Sequence, residues 1–251
     1  MNSTPDKAAR NGNLYAILLL AVSPFALGQN ASSPEDRPLL LADAGQASGT
    51  APVVVYTPPR RGAPVRRVGG GTRSTDTLAT SVNVLAPETV GLTTQPQPTL
   101  YWFVSGVVEN RVVVTLIDED AIDPLLELTL AAPKKPGIQA LNLSNLDVRL
   151  QPGRHYEWEV ALLDASGDRY RDIYARGAIE RVDAPAGLEA QLQGRSPLEK
   201  AKALAAAGIW YDAVDELGQA IENSPDARVF QDQRRALLSQ VNLTEVAAYA
   251  Q

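Results

Sequence analysis

The stretch Leu150-Gln151-Pro152-Gly153-Arg154-His155-Tyr156-Glu157-Trp158-Glu159-Val160 constrains the fold of this chain more than any other. Its Pro-Gly pair marks a tight turn. Behind the turn, Tyr156, Trp158, Val160 and Leu162 alternate with His155, Glu157 and Glu159. Successive side chains of a strand point to opposite faces, so this alternation fits a strand with one face in a core and one in water. Other runs share the pattern. Leu100, Trp102 and Val104 alternate within Thr99–Val104, Val112, Val114 and Leu116 within Arg111–Ile117, and Leu126, Leu128 and Leu130 within Leu125–Leu130, where Glu127 and Thr129 point outward. Ser81–Leu85, Ile138–Leu143 (entered from Lys134-Lys135-Pro136-Gly137) and Gly177–Val182 complete a series of short runs separated by turn residues. Residues 78–183 are therefore expected to form an all-β domain.

Tyr156, placed just after the turn, resembles the tyrosine corner of immunoglobulin and fibronectin type III sandwiches, whose hydroxyl bonds back to the chain just upstream. That resemblance implies an antiparallel β-sandwich, with Tyr156 at the corner and Trp158 and Trp102 as core packing. Carbohydrate platforms are the competing use of such tryptophans, but exposed platforms rarely sit at core-facing spacing. His155 falls on the polar face and reads as a surface residue, and Asp164-Ala165-Ser166-Gly167-Asp168 reads as a turn.

The period then changes, and residues 187–250 read as helical. Ser196-Pro197-Leu198-Glu199 is a helix start: Ser196 caps, Pro197 fits the first helical position and Glu199 closes a capping box. Gly208 ends that helix, where positive φ is cheap. Trp210, Ala213, Val214, Leu217 and Ile221 form one face of a second helix, which leaves Tyr211 and Asp212 free for other contacts. Ser224-Pro225-Asp226 is expected to open a third, with Phe230, Leu237 and Val241 inward. Ala201, Leu204, Gly208, Trp210, Ala213, Leu217, Ala220 and Pro225 resemble a single tetratricopeptide unit. The early aromatic and the further repeats of that pattern are missing, so the unit must dock on the β-domain or on another chain. The expected fold class is α+β in separate parts: an immunoglobulin/fibronectin-III-like antiparallel sandwich followed by a small tetratricopeptide-like helical segment.

The N-terminus reads as an address. Lys7 and Arg10 precede an apolar run from Leu14 to Leu27, and Ala26 and Gly28 suit a cleavage site, so residues 1–28 are expected to be a signal peptide. The run is shorter than the roughly 20 apolar residues of a membrane span and contains Pro24. Export is therefore expected, and for a bacterial chain that means the periplasm or the exterior. Residues 29–52, rich in Ala, Ser, Gly, Pro and Asp, are expected to be a flexible lead. In the Pro/Gly/Arg-rich segment 53–77, Val53-Val54-Val55-Tyr56 has the composition of a short strand. Arg60, Arg61, Arg66, Arg67 and Arg73 follow without an intervening acid. Guanidinium groups match carboxylates and phosphates in pairs, so these five are candidate contacts to an anionic partner. A solvated linker is the alternative.

Composition excludes several classes. The chain has no cysteine, which removes disulfides, thiolate metal sites and a cysteine nucleophile, and His155 is its single histidine. A net charge of −6 argues against a nucleic-acid footprint. The acidic run Asp118-Glu119-Asp120-Ala121-Ile122-Asp123 lacks the calcium-loop pattern and reads as a hairpin loop. No cofactor, metal or catalytic residue is expected, and no membrane span after leader cleavage.

Tyr56-Thr57-Pro58-Pro59-Arg60-Arg61-Gly62-Ala63-Pro64, the Gly-Gly-Gly-Thr-Arg run at 69–73, Pro98-Thr99-Leu100-Tyr101-Trp102 and Gly208-Ile209-Trp210-Tyr211-Asp212-Ala213 together resemble the bacterial family termed domain of unknown function 928, over roughly residues 53–243. The resemblance implies an exported protein with a β-domain and a helical tail, and it lends no activity and no catalytic residue. The function expected is that of a non-enzymatic interaction or scaffold protein, with an envelope protein or an anionic cell-surface component as partner. The alternative is a cell-wall or polysaccharide-binding module using the arginines and aromatics such as Tyr101 or Tyr211. A hydrolase built on the acids at 118–123 is a third reading.

Overall fold

The computed structural model describes residues 52–59, 68–70, 80–108, 111–224 and 227–249. Residues 1–51, where the leader and flexible lead are expected, and the five arginines Arg60, Arg61, Arg66, Arg67 and Arg73 lie outside the described residues. Among the described residues the strands are β1 (Val68–Gly70), β2 (Ser81–Val84), β3 (Gly91–Thr93), β4 (Thr99–Val104), β5 (Val112–Asp118), β6 (Leu126–Leu130), β7 (Gly137–Asn142), β8 (His155–Leu162) and β9 (Ile173–Arg181). The helices are α1 (Leu188–Leu192), α2 (Pro197–Ala206), α3 (Trp210–Asn223), α4 (Arg228–Ser239) and α5 (Thr244–Tyr249). No helix among them is long and apolar enough to cross a membrane.

The strands form a four-stranded sheet, β1-β2-β4-β7, and a five-stranded sheet, β3-β9-β8-β5-β6. With the helices following in sequence, the fold is α+β. β2 lies against β9 and β8 of the other sheet. All pairings are antiparallel except β3 with β9, which is parallel and places Gly91 opposite Ile179. That strand departs from the expected antiparallel domain. At three residues it carries no readable alternation, and it is defined by its pairing with β9.

The alternation in β8 sets the interior. β8 is paired on both sides, with β5 and β9, and its Tyr156, Trp158 and Val160 are buried. Trp102 of β4 is buried too. The Tyr156 hydroxyl accepts the backbone N–H of Gln151 at 2.9 Å, across the Pro152-Gly153 turn. β6 is an edge strand, so Leu126, Leu128 and Leu130 are only half-buried while Glu127 and Thr129 are exposed. β9 starts at Ile173 and not at Gly177, because Tyr174 and Arg176 point outward around the small, buried Ala175.

Gly177 is where β9 passes the Trp158 indole. A Cβ there would sit 2.7 Å from Trp158 Nε1 and 3.0 Å from the Ala86 methyl. Gly177→Ala is therefore expected to cost about 1–3 kcal/mol through overpacking. Equilibrium denaturation measures it, and an unchanged midpoint would contradict the tight packing.

α2 starts with the full capping box. The Ser196 hydroxyl accepts the Glu199 N–H, and the Glu199 carboxylate accepts the Ser196 N–H at 3.0 Å. Gly208 turns the chain into α3 with a φ of +79°, and a Cβ there would also press to 3.0 Å on the Thr57 carbonyl. The third long helix departs from expectation. Ser224 is the C-cap of α3, and α4 begins after Ala227 without a side-chain cap. Pro225 and Asp226 lie outside the described residues.

Residues 52–59 belong to no helix or strand. The segment is a strap across the helices, with Val54 and Tyr56 buried and Val53 and Val55 exposed. Buried backbone groups need partners, and here glutamine side chains supply them. The Val54 N–H donates to Gln233 Oε1 at 2.8 Å and the Tyr56 N–H to Gln240 Oε1 at 2.9 Å. Gln240 Nε2 returns a bond to the Val54 carbonyl at 2.7 Å. The Thr57 N–H donates to the Ala205 carbonyl at 3.1 Å, at the end of α2.

Candidate functional site

α3 joins the helices to both sheets. It packs on α2 and α4 and also on β3 and β4. Its first turn is consequently buried all round: Trp210, Tyr211, Asp212 and Ala213 each lose nearly all contact with solvent. The Trp210 indole N–H donates to the Leu85 carbonyl at 2.9 Å, and its ring meets Tyr56 edge-on with centroids 4.8 Å apart. The Tyr211 hydroxyl accepts the Trp158 indole N–H at 2.9 Å and donates to the Ala178 carbonyl at 3.0 Å.

Asp212 accepts hydrogen bonds from the hydroxyls of Thr93 and Thr94 and, at 3.1 Å, from the Thr94 N–H. Tyr211 and Asp212 thus correct the expectation that they are free for other contacts. The helical period identifies the face toward the neighbouring helices. It carries no information about a second layer, here β3, that closes on the opposite side. That same Tyr211 hydroxyl joins the segment carrying Gly208, Trp210 and Ala213 to the β8 strand that carries Tyr156 and Trp158.

Burial raises the Asp212 pKa above the ordinary 3.8, and the hydrogen bonds from Thr93 and Thr94 offset this only in part. A carboxyl with a raised folded-state pKa contributes stability that is fully present below its unfolded value and is lost as pH rises through the folded value. The Asp212→Asn protein cannot titrate at this position. Relative to it, the parent is expected to lose stability as pH rises from the ordinary carboxylate value toward the raised folded-state value of Asp212. Denaturation curves at a series of pH values check this, and a difference independent of pH would contradict it.

Two cavities flank α3. One, of about 330 Å³, is polar and is walled by Thr94, Gln95, Asn142, Asp212, Asp215 and Glu216. Burial raises the Glu216 pKa against the pull of Lys200, whose Nζ is 3.8 Å from its carboxylate. Among the described residues no group of three or more His, Asp or Glu side chains is placed to hold a metal ion.

The second cavity, also about 330 Å³, lies between the face of β4 and β7 and helices α3, α4 and α5. Tyr101, Phe103, Ile138, Ile221 and Tyr249 wall it, with Phe103 and Tyr249 edge to face at 5.0 Å. Arg234 lines it as well, and its Nε is buried with no hydrogen-bond partner among the described residues. Desolvation pulls the Arg234 guanidinium below the ordinary arginine value, against the nearby Tyr101 and Glu222. Glu222 is an exposed member of the lining and stands at the mouth. Tyr101 links the two cavities: its ring faces the second while its hydroxyl donates to Asp215 Oδ1 at 2.8 Å.

The sequence profile of Domain of Unknown Function (DUF928) matches residues 68–250. The chain belongs to the DUF928 family. No curated protein matches the chain. Both cavities, α3 and the Trp158–Tyr211 clasp fall within the DUF928 match, whereas the strap of residues 52–59 precedes it. The strap nevertheless shares one core with the DUF928 segment through Val54 and Tyr56.

Other residues singled out in the sequence have structural partners. Arg154 forks onto Asp118, with Nε and Nη2 at 3.0 and 2.8 Å, and reaches Asp120 at 2.8 Å. The Asp120 N–H and then this guanidinium hold the Asp118 carboxyl below the usual range. The acidic run thus bridges β5 to the turn before β8. His155 is partly exposed and lies 3.1 Å from the buried Glu180 carboxylate and 3.5 Å from Glu119. Trp102 is core, and its indole nitrogen has no hydrogen-bond partner among the described residues. As open platforms for a sugar, Tyr101 and Tyr211 do not serve: both are buried, at 6% and 2% exposure. The sequence does not single out Arg234. On α4 it reads as one more surface charge, and only the closure of α4 over β4 and β7 sets it apart.

Proposed function

We propose that this DUF928 protein is an exported, non-enzymatic interaction protein that holds a partner in the groove between β4, β7 and α3–α5. The observation that carries the reading is Arg234: a guanidinium with a partnerless buried Nε, set among aromatic and aliphatic walls. Buried charged donors without partners are costly, and aromatic residues with arginine are the commonest anchors of protein interfaces. The rest is consistent with a binding scaffold. The β part reads as an immunoglobulin-like sandwich and α2–α3 as one tetratricopeptide-like unit, although architecture alone is a weak warrant for function. Export rests on the leader at residues 1–28, and the arginines at 60–73 offer a second contact to an anionic partner.

The test places a photo-crosslinking side chain at Gln231, on the groove wall, and exposes the full chain to envelope extract. A discrete adduct is expected that Arg234→Ala reduces at least about tenfold, the scale of one charge-assisted hydrogen bond. No adduct, or one indifferent to Arg234, would remove the reading. A polysaccharide module is less well supported, since Tyr211 is buried within the core and Tyr101 turns its ring into the groove.

A further inference from the structure

Resting on that reading, we infer that the groove takes the C-terminal residue of a partner polypeptide, with an apolar side chain among Phe103, Ile138, Ile221 and Tyr249 and the terminal carboxylate on Arg234. Size is the first argument. A cavity of about 330 Å³ stands at the low end of ligand sites, roughly 300–1,000 Å³. It admits one residue and excludes a helix, which is about 10 Å across.

Charge is the second. The guanidinium presents donors in a planar fork that a carboxylate matches bidentately. The buried Nε of Arg234 lacks any such acceptor among the described residues. The presence of both features in one cavity is the third argument. One residue must supply both the apolar group and the anion, and a chain end does so. An internal Asp or Glu brings its carboxylate without the apolar group, and it needs two chain segments to leave through one mouth. A phosphate would bring a second negative charge into a site with one arginine and with Glu222 at its rim. Glu222 has a use for a peptide, since its carboxylate accepts an N–H of the chain leaving the cavity.

The probes are fluorescein-labelled hexapeptide pools, randomised upstream and ending in leucine, valine or phenylalanine, made with a free C-terminus or a C-terminal amide. Fluorescence anisotropy with the full chain is expected to show binding of the acid pools, with the amides weaker by at least about tenfold. Arg234→Gln is expected to reduce the acids to the level of the amides, while its thermal unfolding midpoint is no lower than that of the parent. Equal binding of acids and amides overturns the inference. So does competition by free phenylalanine as strong as that by the peptides, which would make the groove a site for a free amino acid. Failure of every acid pool, together with an Arg234-dependent crosslink at Gln231, also overturns it but leaves the interaction reading standing, because the groove would then hold an internal segment. Loss of the crosslink as well removes both.

Discussion

Alanine in place of Trp210 is expected to lower the free energy of unfolding by about 3–5 kcal/mol, the range for deleting a fully buried large aromatic side chain. The ring has no solvent exposure, and three separate parts of the chain meet on it. Its N–H satisfies the Leu85 carbonyl beyond the end of β2, its edge carries Tyr56 of the strap, and its own helix packs on α2. Removing it opens a cavity at that junction and leaves the Leu85 carbonyl without a donor. The strap is expected to loosen first, since it holds no strand ladder, and limited proteolysis should cut within residues 52–59 sooner than in the parent. Trp210→Phe separates the two contributions. It keeps most of the apolar volume and removes the N–H, so about 1–3 kcal/mol should be lost. Denaturation in urea decides both values. A Trp210→Ala protein with the parent's midpoint and protease resistance would make the ring a peripheral contact, and α3 could not then be the element that joins the layers.

The sequence was most readable where one physical rule acts alone. Alternation in β8 is a local consequence of one buried face, so Tyr156, Trp158 and Val160 were identified without knowledge of the neighbours. The capping box at Ser196 and Glu199 is likewise local, and Gly208 announces its positive φ because other residues pay a steric penalty there. The readings failed where a second layer acts. Tyr211 and Asp212 fall on the polar side of the helical template, and in an isolated helix they would be solvated. They are buried because β3 packs against that side and Thr93 and Thr94 satisfy the carboxylate. β3 itself is too short to show a period, and the partners of the strap are glutamine side chains more than 170 residues away in sequence. Arg234 illustrates the same limit for function. Its type and spacing match those of any solvated helix charge, and its meaning comes from what closes around it.

The hydroxyl of Tyr211 offers the sharper test of how the two parts of the molecule are held together. Tyr211→Phe removes one oxygen atom and keeps the ring, so it leaves no large cavity and any loss of stability reports on hydrogen bonding. That oxygen accepts from Trp158 Nε1 and donates to the Ala178 carbonyl, and the residue is only 2% exposed, so water has no ready path to replace it. Two buried groups are orphaned at about 1–3 kcal/mol each, and an overall loss of about 2–6 kcal/mol is expected. The ring cannot shift to compensate on the Gly91 side, since a Cβ at Gly91 would already lie 2.7 Å from it. A double-mutant cycle with Trp158→Phe isolates the indole bond. Once the N–H is absent, the second substitution orphans only the Ala178 carbonyl, so the double variant should lose less than the sum of the singles. Strict additivity would mean that the Trp158–Tyr211 bond contributes nothing. The attachment of α3 to the β8–β9 sheet would then rest on the Tyr211–Ala178 bond, the bonds of Asp212 to Thr93 and Thr94, and apolar contact.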